Sequence, residues 1–382
     1  MTDVVVAINA GSSSVKAAVA EAGGDKRVLL SGGADRLGAD KAELTIRRPG
    51  ADSETKPVGS ADHAHAIRAL FAEIAERRPD LSIKAVGHRI VHGGASFVDP
   101  ALVTPQVVEA LDALVPLAPL HQPHGLAGIR TASSLYPDAR HVACFDTAFH
   151  AAKPWVHDAF ALPARYYEQG VRRYGFHGLA CESVCETLAA QAYPLADRKI
   201  AIAHLGNGCS VTAVCGGRSI ASSMGFSALD GLVMGTRCGR IDPGVLLHLL
   251  RTGVDADGLE RLLYRESGLL GLSGLSNDMR DLAQSDSEAA QGAIRYFVER
   301  VIEEVSRMAA AMRGLDAVVF SGGVGENAAD IRDAVATGLD FLPGRDGAGI
   351  DILVHPADEE GRLMSAARRF LSRTSEEETG LP

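Results

Sequence analysis

The sequence predicts an α/β protein made of two similar domains with a cleft between them. The length of 382 residues exceeds the usual size of one domain and favours two domains of roughly 150–200 residues. An apolar strand, a turn of small residues and a second apolar strand occur at Val4–Val19 and recur at Lys199–Val214. Strand patterns alternate with helical patterns elsewhere, so the repeated opening indicates a duplicated α/β domain.

The composition excludes several classes of protein. Hydrophobic residues make up 46% of the chain, enough for two cores, and the net charge of −10 argues against a nucleic-acid or acidic-membrane surface. The six cysteines follow no disulfide or metal-binding spacing. Asp3 directly precedes the first strand, so we read no signal peptide, and no apolar run approaches the ~18 residues of a membrane helix. We expect a soluble, cytoplasmic protein without nucleic-acid or membrane partners.

The opening hairpin has a turn, Ala10–Ser14, in which every residue is small. Such a turn lets backbone N–H groups and hydroxyls approach an anion closely, as in phosphate-binding loops. Asn9 ends the first strand and can hold a phosphate or a metal-bound water. Lys16 reaches the same phosphate only if the hairpin twists strongly. The alternative is a plain hairpin with a flexible tip.

Polar residues follow two predicted strands of the first half. The strand Ile83–Val91 carries Arg89 near its end, and Asp146 comes directly after a strand at His141–Phe145. Ligands of α/β proteins collect beyond strand ends, so both residues are candidates for a site. A surface salt bridge for Arg89 and a helix cap for Asp146 are the alternatives. We read Leu117–Gly125 as a loop forming a pocket wall.

In the second half, a loop at Lys153–Arg173 precedes His177, which lies between glycines at a predicted helix start and is a candidate anion ligand or a structural residue. A long helix is predicted at Glu288–Met312, with a capping box from Ser285 to Glu288. A third glycine-rich turn follows at Ala317–Asn327, with a helix from Asn327 to Ala336.

The chemistry that these patterns favour is phosphoryl transfer. Neither Gly-x4-Gly-Lys-Ser/Thr nor a Gly-x-Gly-x-x-Gly after a strand occurs, which excludes a P-loop and the usual dinucleotide fingerprint. Three small-residue turns after strands, loop arginines and scattered Asp, Glu and Asn remain. Phosphoryl transfer needs placed phosphates, a divalent cation and positive charge, with little covalent machinery.

Nine motifs, in order along almost the whole chain, resemble the acetate/propionate/butyrate kinase family of the sugar kinase, heat-shock protein 70 and actin superfamily. They are NAGSSSVK, GHRIVHGG, LAPLHQPH, FDTAFH, YGFHG, HLGNGCS, MGTRCG, GLSNDMRD and SGGVGEN. The resemblance implies two duplicated ribonuclease H-like (actin-like ATPase) domains around a nucleotide cleft, Mg²⁺ or Mn²⁺ with ATP, and a homodimer. It places the domains at 1–150, completed by a helix at 360–373, and at 151–359, before an acidic disordered tail at 374–382.

The resemblance also implies a role for each matching residue. Catalysis falls to Arg89, Asp146, His177 and Arg237, of which His177 and Arg237 stabilise the transition state. The acid is bound by Arg89, Val91, Leu120, Phe176 and Ala228, with His121 in the same place. ATP is bound by Ser12, Ser14, Lys16, His204, Leu205, Gly206, Asn207, Gly208, Asp278, Met279, Arg280, Gly322, Gly323, Val324, Gly325 and Asn327. The metal is held near Asn9 and Glu359, with Glu360 as the neighbouring alternative.

The expected activity is reversible, magnesium-dependent transfer of the ATP γ-phosphoryl to acetate or another short carboxylate, in line and without a phosphoenzyme. The nearest alternative is a propionate or butyrate kinase, because Ala228 stands where the family generally has a proline. Met279 replaces a usual phenylalanine, Gln122 a usual asparagine, and the segment Phe341–Asp351 is shorter than usual. From other classes, an ATP-gated binding module and a Rossmann-type oxidoreductase are the alternatives.

Overall fold

The computed structural model of the chain describes residues 1–11, 13–24, 27–38, 42–347 and 349–372. The predicted phosphate-loop residue Ser12 and the predicted tail at 374–382 lie outside the described residues. None of the described helices combines the length and apolar character that a membrane crossing requires.

The strands are numbered in chain order. They are β1 (Thr2–Ala10), β2 (Ser14–Glu21), β3 (Val28–Asp35), β4 (Ala42–Arg47), β5 (Glu54–Gly59), β6 (Leu81–Ile90), β7 (Ala101–Leu102), β8 (Arg140–Phe145), β9 (Lys199–Leu205), β10 (Cys209–Cys215), β11 (Arg218–Ser222), β12 (Ala317–Ser321) and β13 (Asp351–Val354).

The α-helices are numbered in the same way. They are α1 (His63–Arg77), α2 (Pro105–Asp112), α3 (Gln122–Leu135), α4 (Trp155–Asp158), α5 (Ala164–Glu168), α6 (Gly178–Ala190), α7 (Pro243–Arg251), α8 (Ala256–Arg265), α9 (Gly268–Ser273), α10 (Met279–Ala283), α11 (Glu288–Met312), α12 (Gly322–Asn327), α13 (Ala329–Gly338) and α14 (Glu359–Ser372).

The first compact unit, called unit 1, comprises the described residues of 1–148 and of 358–372. Its sheet has the order β5-β4-β3-β2-β1-β6-β8-β7. Strands β1 to β5 pair antiparallel, whereas β1, β6 and β8 run parallel. Alternate residues of β1 and β2 pack with α1 and α3 in one core, and α14 packs on β1 and β6. This arrangement brings the carboxyl ends of β1, β6 and β8 to one edge of the sheet.

The second compact unit, unit 2, comprises Phe149–Ala357. Its sheet has the order β11-β10-β9-β12-β13, in which β9, β10 and β11 pair antiparallel and β9, β12 and β13 run parallel. The apolar face of α6 packs with β9 and β12 in a buried cluster, and α11 packs on β9 and β10.

The two sheets share one core topology. The strands β3-β2-β1-β6-β8 of unit 1 and β11-β10-β9-β12-β13 of unit 2 have the same chain order and the same directions. The two predicted hairpins occupy equivalent places, β1–β2 and β9–β10, in these cores. The prediction of a duplicated α/β domain is therefore confirmed.

Several local predictions need correction. The helix predicted at Glu288–Met312 has those bounds, but its N-cap is Ser287, whose hydroxyl accepts from the amide of Ala290 at 3.2 Å. The predicted capping box beginning at Ser285 is therefore wrong, because a serine two residues later takes the cap. The helix predicted from Asn327 to Ala336 corresponds to α13 (Ala329–Gly338), and a separate short helix that was not predicted, α12 (Gly322–Asn327), directly follows β12.

Two segments predicted as loops contain helices. Within 153–173, the short helices α4 and α5 follow Pro154 and Pro163, and a proline fits the residue before or at a helix start. The segment Leu117–Gly125 includes the first turn of α3, in which Pro123 lies where a backbone N–H is not needed.

Candidate active site

Arg89 is the centre of a polar cluster in unit 1. It lies near the end of β6, and Asp146 follows the neighbouring parallel strand β8, so the pairing of the two strands brings both side chains to one edge. Arg89 Nη2 donates to Asp146 Oδ2 at 2.7 Å, and Arg89 Nε lies 3.1 Å from each oxygen of the same carboxylate. Asp146 is 1% exposed. This forked, charge-assisted contact fixes the orientation of the guanidinium.

Asn9 and two glutamates complete the cluster. Arg89 Nη1 donates to Asn9 Oδ1 at 3.0 Å, and Asn9 Nδ2 donates to Glu359 Oε2 at 2.7 Å and to Glu360 Oε1 at 3.3 Å. Asn9 comes from β1 and the glutamates from the first turn of α14. Both glutamates therefore reach the same amide, and Glu359 makes the shorter contact.

The electrostatics of the cluster favour a charged arginine. Burial disfavours the cation, but Asp146 and Glu359 outweigh it and raise the pKa of Arg89 above its usual value. Burial raises the pKa of Asp146, and the Arg89 guanidinium opposes that rise. One arginine faces three carboxylates, so the cluster carries excess negative charge that a divalent cation can compensate.

The residues present suit a hydrated magnesium ion better than a cage of side chains. Across the described parts of the chain, no group of three or more His, Cys, Asp or Glu side chains is arranged to hold a metal. Mg²⁺ keeps several waters and is bound through one or two carboxylates together with substrate phosphates. The donor set of Asn9, Glu359 and Glu360 fits that kind of site.

The hairpin turn lies beside this cluster. Lys16 pairs directly with Asn9 across β1 and β2, so the two side chains lie on the same face of the sheet. The amide of Gly11 donates to Ser14 O at 2.8 Å, which closes the turn. Lys16 and Glu360 line a groove of about 560 Å³.

His177 is the N-cap residue of α6 in unit 2 and has a left-handed backbone, with φ 59° and ψ 25°. Its Nδ1 lies 3.0 Å from the hydroxyl of Ser210 on β10. Its ring lies 4.8 Å from the ring of His204, and His204 Nδ1 lies 3.3 Å from the Ser321 hydroxyl. The Ser210 hydroxyl at Nδ1 helps to orient the imidazole, and the Nε2 edge of the ring lies next to Gly208.

Gly208 defines the space in front of that edge. A Cβ atom at this position would lie 3.3 Å from His177 Nε2 and 3.9 Å from Arg237 Nη1. The loop between β9 and β10 therefore approaches both side chains closely, and glycine keeps the space between them open. His177, Gly208 and Arg237 therefore lie close together within unit 2.

Arg237 is held by a backbone carbonyl. Its Nη1 donates to Ala228 O at 3.0 Å and lies 3.8 Å from Met234 Sδ. Of the predicted acid-binding residues, Ala228 and Phe176 belong to unit 2, and Phe176 is buried at 1% exposure. Val91, Leu120 and His121 belong to unit 1, where Val91 is buried and the other two are half-buried.

A cavity of about 1170 Å³ opens next to the glycine turns of unit 2. Eight predicted nucleotide residues line it, namely Gly206, Asn207, Asp278, Met279, Arg280, Gly323, Val324 and Asn327. Its volume exceeds the ~300–1,000 Å³ of a typical small-molecule site, and its two glycine turns supply backbone N–H groups. The cavity is therefore large enough for a nucleotide.

The other predicted nucleotide residues of unit 2 do not line this cavity. Leu205 and Gly325 are buried, and His204 is half-buried. The amide of Gly322 donates to Glu326 Oε1 at 2.9 Å, and Asn327 Nδ2 donates to Gly323 O at 2.9 Å. Lys16 and Ser14 belong to unit 1.

Asp278 and Arg280 form an exposed pair at the rim. The Asp278 carboxylate caps α10 by accepting from the Arg280 amide at 2.8 Å and also binds the Arg280 guanidinium, which lowers the pKa of Asp278. The Arg280 side chain is 84% exposed. The pair is thus accessible to a ligand entering the cavity.

Sequence reasoning missed the wall that α11 gives to the cavity. Gln291, Ile294 and Phe297 line it at successive turns, although the apolar residues among them match the core-facing stripe of the helix. An apolar helix face that packs in a core and also lines a cavity has the same periodicity as an apolar face that only packs in a core. The polar Gln291 at one end of this stripe was the signal available in the sequence.

Comparison with known proteins is consistent with this geometry. A sequence model of the Acetokinase family matches residues 4–363. An acetate kinase of Methylocella silvestris is 44% identical, covering 99% of this chain and 96% of the relative. One from Rhodopseudomonas palustris is 48% identical, with 88% and 86% covered.

Solved structures extend the comparison to the fold. The crystal structure of Porphyromonas gingivalis acetate kinase has a TM-score of 0.86 at 33% identity, covering 97% of this chain and 100% of that one. A propionate kinase from Francisella tularensis has a TM-score of 0.86 at 32% identity, with 95% and 98% covered. The duplicated core is accordingly the actin-like ATPase fold. With a family match over nearly its whole length, the chain is an enzyme of the acetokinase family.

Proposed function

We propose that this protein is an acetate kinase that transfers the γ-phosphoryl group of ATP reversibly to acetate, giving acetyl phosphate and ADP. The observation that carries the proposal is the 44–48% identity, over most of the chain, to relatives named acetate kinase. The glycine turns beside a cavity of about 1170 Å³ support it, because they offer backbone N–H groups to phosphates next to space for a nucleoside.

The reaction is a direct in-line displacement. A carboxylate oxygen of the acid forms a bond to the γ-phosphorus as the bond to the β,γ-bridging oxygen breaks, and ADP leaves with that electron pair. No proton has to move and no covalent enzyme intermediate forms. Positioning and charge stabilisation therefore supply the catalysis.

Two arginines offset the repulsion between a carboxylate and a polyphosphate. Arg89 keeps its charge and is oriented by Asp146 and Asn9, which suits binding of the carboxylate. Arg237 lies beside the open space at Gly208, which suits contact with the moving phosphoryl group.

His177 donates a hydrogen bond to the phosphoryl group in this proposal. When the Ser210 hydroxyl donates to Nδ1, the neutral ring carries its proton on Nε2, the atom that faces Gly208. That N–H and the Arg237 guanidinium then stabilise the charge spread over the equatorial oxygens of the transition state.

A magnesium or manganese ion fits the acidic cluster of unit 1. Asn9, Glu359 and Glu360 would orient the waters of the ion, and Lys16 lies opposite Asn9. The ion neutralises charge on the β- and γ-phosphates when it is bound. Ser14 would contact the phosphates from the hairpin turn.

A propionate kinase is the second candidate function. One of the solved relatives is a propionate kinase, and Ala228 has a smaller side chain than the proline that is general in the family. A smaller wall residue leaves room for the extra methylene of propionate. The preference between acetate and propionate thus depends on whether the backbone at Ala228 stays where it would be with a proline at this position.

We also propose a cytoplasmic homodimer formed through α7. Every residue of this helix is at least partly exposed, with Val245, Leu247 and Leu250 41%, 52% and 44% exposed. Asp242 caps one end of α7 and Arg251 ends the other. In an antiparallel pair about a twofold axis, each Asp242 would face the Arg251 of the second copy.

Sedimentation velocity of the wild type and of Leu247→Glu tests the proposed dimer. The wild type should sediment as a dimer and the variant as a monomer.

The activity is tested by trapping the acyl phosphate with hydroxylamine. Purified enzyme, ATP and MgCl₂ are incubated with acetate, propionate, butyrate or no acid, and the hydroxamate is measured. We expect hydroxamate with acetate and none without acid. The absence of hydroxamate with every acid, in a folded preparation, would refute the proposed function.

A further inference from the structure

His150 is a buried histidine that the proposed chemistry does not use. It is 0% exposed and lies at the end of a 3-10 turn in unit 2. Its Nε2 lies 2.9 Å from Phe176 O, and its Nδ1 lies 2.8 Å from the Ser219 hydroxyl. Because a carbonyl can only accept, Nε2 carries the proton and Nδ1 accepts from Ser219. Burial lowers the pKa of His150 to about 3, so the ring is neutral.

Lys153 holds the same stretch of backbone. Its Nζ donates to His150 O at 2.7 Å and to Tyr174 O at 3.0 Å, and lies 3.3 Å from Asp158 Oδ1. The lysine side chain is 2% exposed. His150 and Lys153 thus bind the carbonyls of residues 176 and 174, the two that flank Gly175.

Gly175 lets the ring of His150 approach the backbone. Its φ of 80° lies in the left-handed region, and a Cβ atom there would lie 2.8 Å from His150 Cγ. The contact leaves no space for any larger residue at this position. The segment Tyr174–Phe176 is therefore fixed against the imidazole by packing and by hydrogen bonds.

The residue that follows this segment is His177, whose backbone is strained. A non-glycine residue at φ 59° costs about 1 kcal/mol or more and persists only where the surroundings enforce it. The preceding carbonyl is held by His150, and His177 O accepts from the amide of Cys181 at 3.0 Å. The strained residue is thus held on both sides.

We propose that His150 is a positioning residue for phosphoryl transfer, which acts through His177 and touches no substrate. It fixes the Phe176–His177 peptide so that His177 Nε2 is directed at the space beside Gly208. The inference rests on the proposed role of His177. Lys153 holds the same segment, Tyr174–Phe176, through its hydrogen bond to the carbonyl of Tyr174.

Two substitutions separate the hydrogen bond from the volume of the ring. His150→Phe keeps the volume and loses the donor, whereas His150→Gln retains a side-chain N–H close to the position of Nε2. We expect His150→Phe to lower kcat about tenfold or more, since a displacement of about 1 Å can cost up to about 10²-fold. His150→Gln should stay within about threefold of the wild type. The KM for ATP should change less than about twofold in both variants, since His150 does not line the nucleotide cavity.

A double-mutant cycle supplies the readout that a general loss of stability would not give. In a His177→Ala background, measured at high enzyme concentration, His150→Phe should change kcat by less than about twofold, because the group it positions is gone. An equal loss in both backgrounds would overturn the proposal, as would full activity of folded His150→Phe. Equal losses in the Phe and Gln variants would overturn it too.

Ser219→Ala covers the case in which His150→Phe does not fold. It removes the donor to Nδ1, so the ring keeps its proton on Nε2 for Phe176 O but loses the second bond that fixes its orientation, and the carbonyl is held less firmly. We expect a loss of kcat of about threefold or more, absent in the His177→Ala background; unchanged kcat would contradict the proposal. If His177→Ala alone keeps wild-type kcat, the role of His177 in the proposed function fails, which is a different result from failure of the cycle.

Discussion

The two sheets have the same topology, but the groups at the ends of their strands differ in kind. At the end of the unit 1 sheet, charged side chains bind one another: Arg89 joins Asp146 and Asn9, and Asn9 joins Glu359. In unit 2, the corresponding ends carry glycine turns, with His177 and Arg237 around an open space. A duplicated scaffold has thus acquired a charged cluster in one copy and a backbone-lined turn in the other.

The largest expected effect comes from removing the arginine of each unit. Arg89→Ala and Arg237→Ala should each lower kcat by about 10²–10³ at saturating substrates, because each removes charge that stabilises the transition state. Only Arg89→Ala should also lose about 3–5 kcal/mol of stability, since it leaves the buried Asp146 without its partner. Steady-state kinetics and urea unfolding measure the two effects. Near-wild-type kcat in either variant would refute the role assigned to that arginine. Equal free energies of unfolding in the two variants would contradict the expected difference between the units.

The next effect tests the open space in unit 2. Gly208→Ala should lower kcat about 10- to 100-fold, because the new methyl lies against His177 Nε2 and Arg237 and displaces the phosphoryl group. Gly23→Ala is the matched control, since a Cβ there meets nothing within 4 Å. Thermal unfolding of both variants checks the fold. If Gly208→Ala matches the control in kcat, the space beside His177 has no role in the reaction.

The acidic cluster of unit 1 makes a prediction about metal. Glu359→Gln should raise the magnesium concentration for half-maximal activity about tenfold, and Glu360→Gln only about threefold, because Glu359 makes the shorter bond to Asn9. Titration of activity with MgCl₂ at fixed ATP gives both values. The reverse order would assign the metal to Glu360.

The buried histidines predict a loss of stability in acid. Burial lowers the pKa of His92 in unit 1 to about 4 and that of His150 in unit 2 to about 3, against 6.5 in the unfolded chain. Between those values the unfolded chain binds more protons, so stability is complete above about pH 6.5 and falls as the pH drops towards the folded values. Each histidine should lower the free energy of unfolding by about 2 kcal/mol between pH 7 and pH 5.

Urea unfolding at both pH values measures this loss. His92→Gln and His150→Gln should each make the free energy of unfolding depend less on pH. An undiminished pH dependence in His150→Gln would contradict the lowered pKa of His150.

The smallest expected effect concerns the acid. If the pocket at Ala228 is enlarged, the ratio of kcat/KM for propionate over acetate should fall about fourfold in Ala228→Pro, since one buried methylene is worth about 0.8 kcal/mol. The carbonyl that accepts from Arg237 is kept in this variant. A ratio that stays the same or rises would refute the enlarged pocket.

Local sequence predicts the hairpins and the long helix because each depends on spacing within a few residues, whereas most candidate site residues followed from the resemblance to the family. The alternation of β1 and β2 and the apolar stripe of α11 are visible without any tertiary information. The contact between Arg89 and Asp146 is not, because it requires β6 and β8 to be neighbours across 57 residues of chain. The bounds of α11 were predicted correctly, but its N-cap was assigned to the wrong residue because two serines, Ser285 and Ser287, offer similar caps.

The role of His150 illustrates a second limit. Its bonds to Phe176 O and Ser219 join three segments that the sequence does not order relative to one another. In the sequence, His150 ends a motif whose aspartate, Asp146, drew the functional assignment instead. A histidine whose partner is a backbone carbonyl leaves no pattern in the side chains, so only the fold shows it.

The bond between Asn9 and Glu359 joins residues that are 350 positions apart. During synthesis, β1 leaves the ribosome long before α14, at about 5–20 residues per second, so this contact forms among the last in the molecule. Unit 2 can fold from a continuous stretch, whereas unit 1 waits for a helix made after it. A nascent chain can therefore form the cavity of unit 2 before the acidic cluster of unit 1 is complete, and we expect turnover only after α14 has docked.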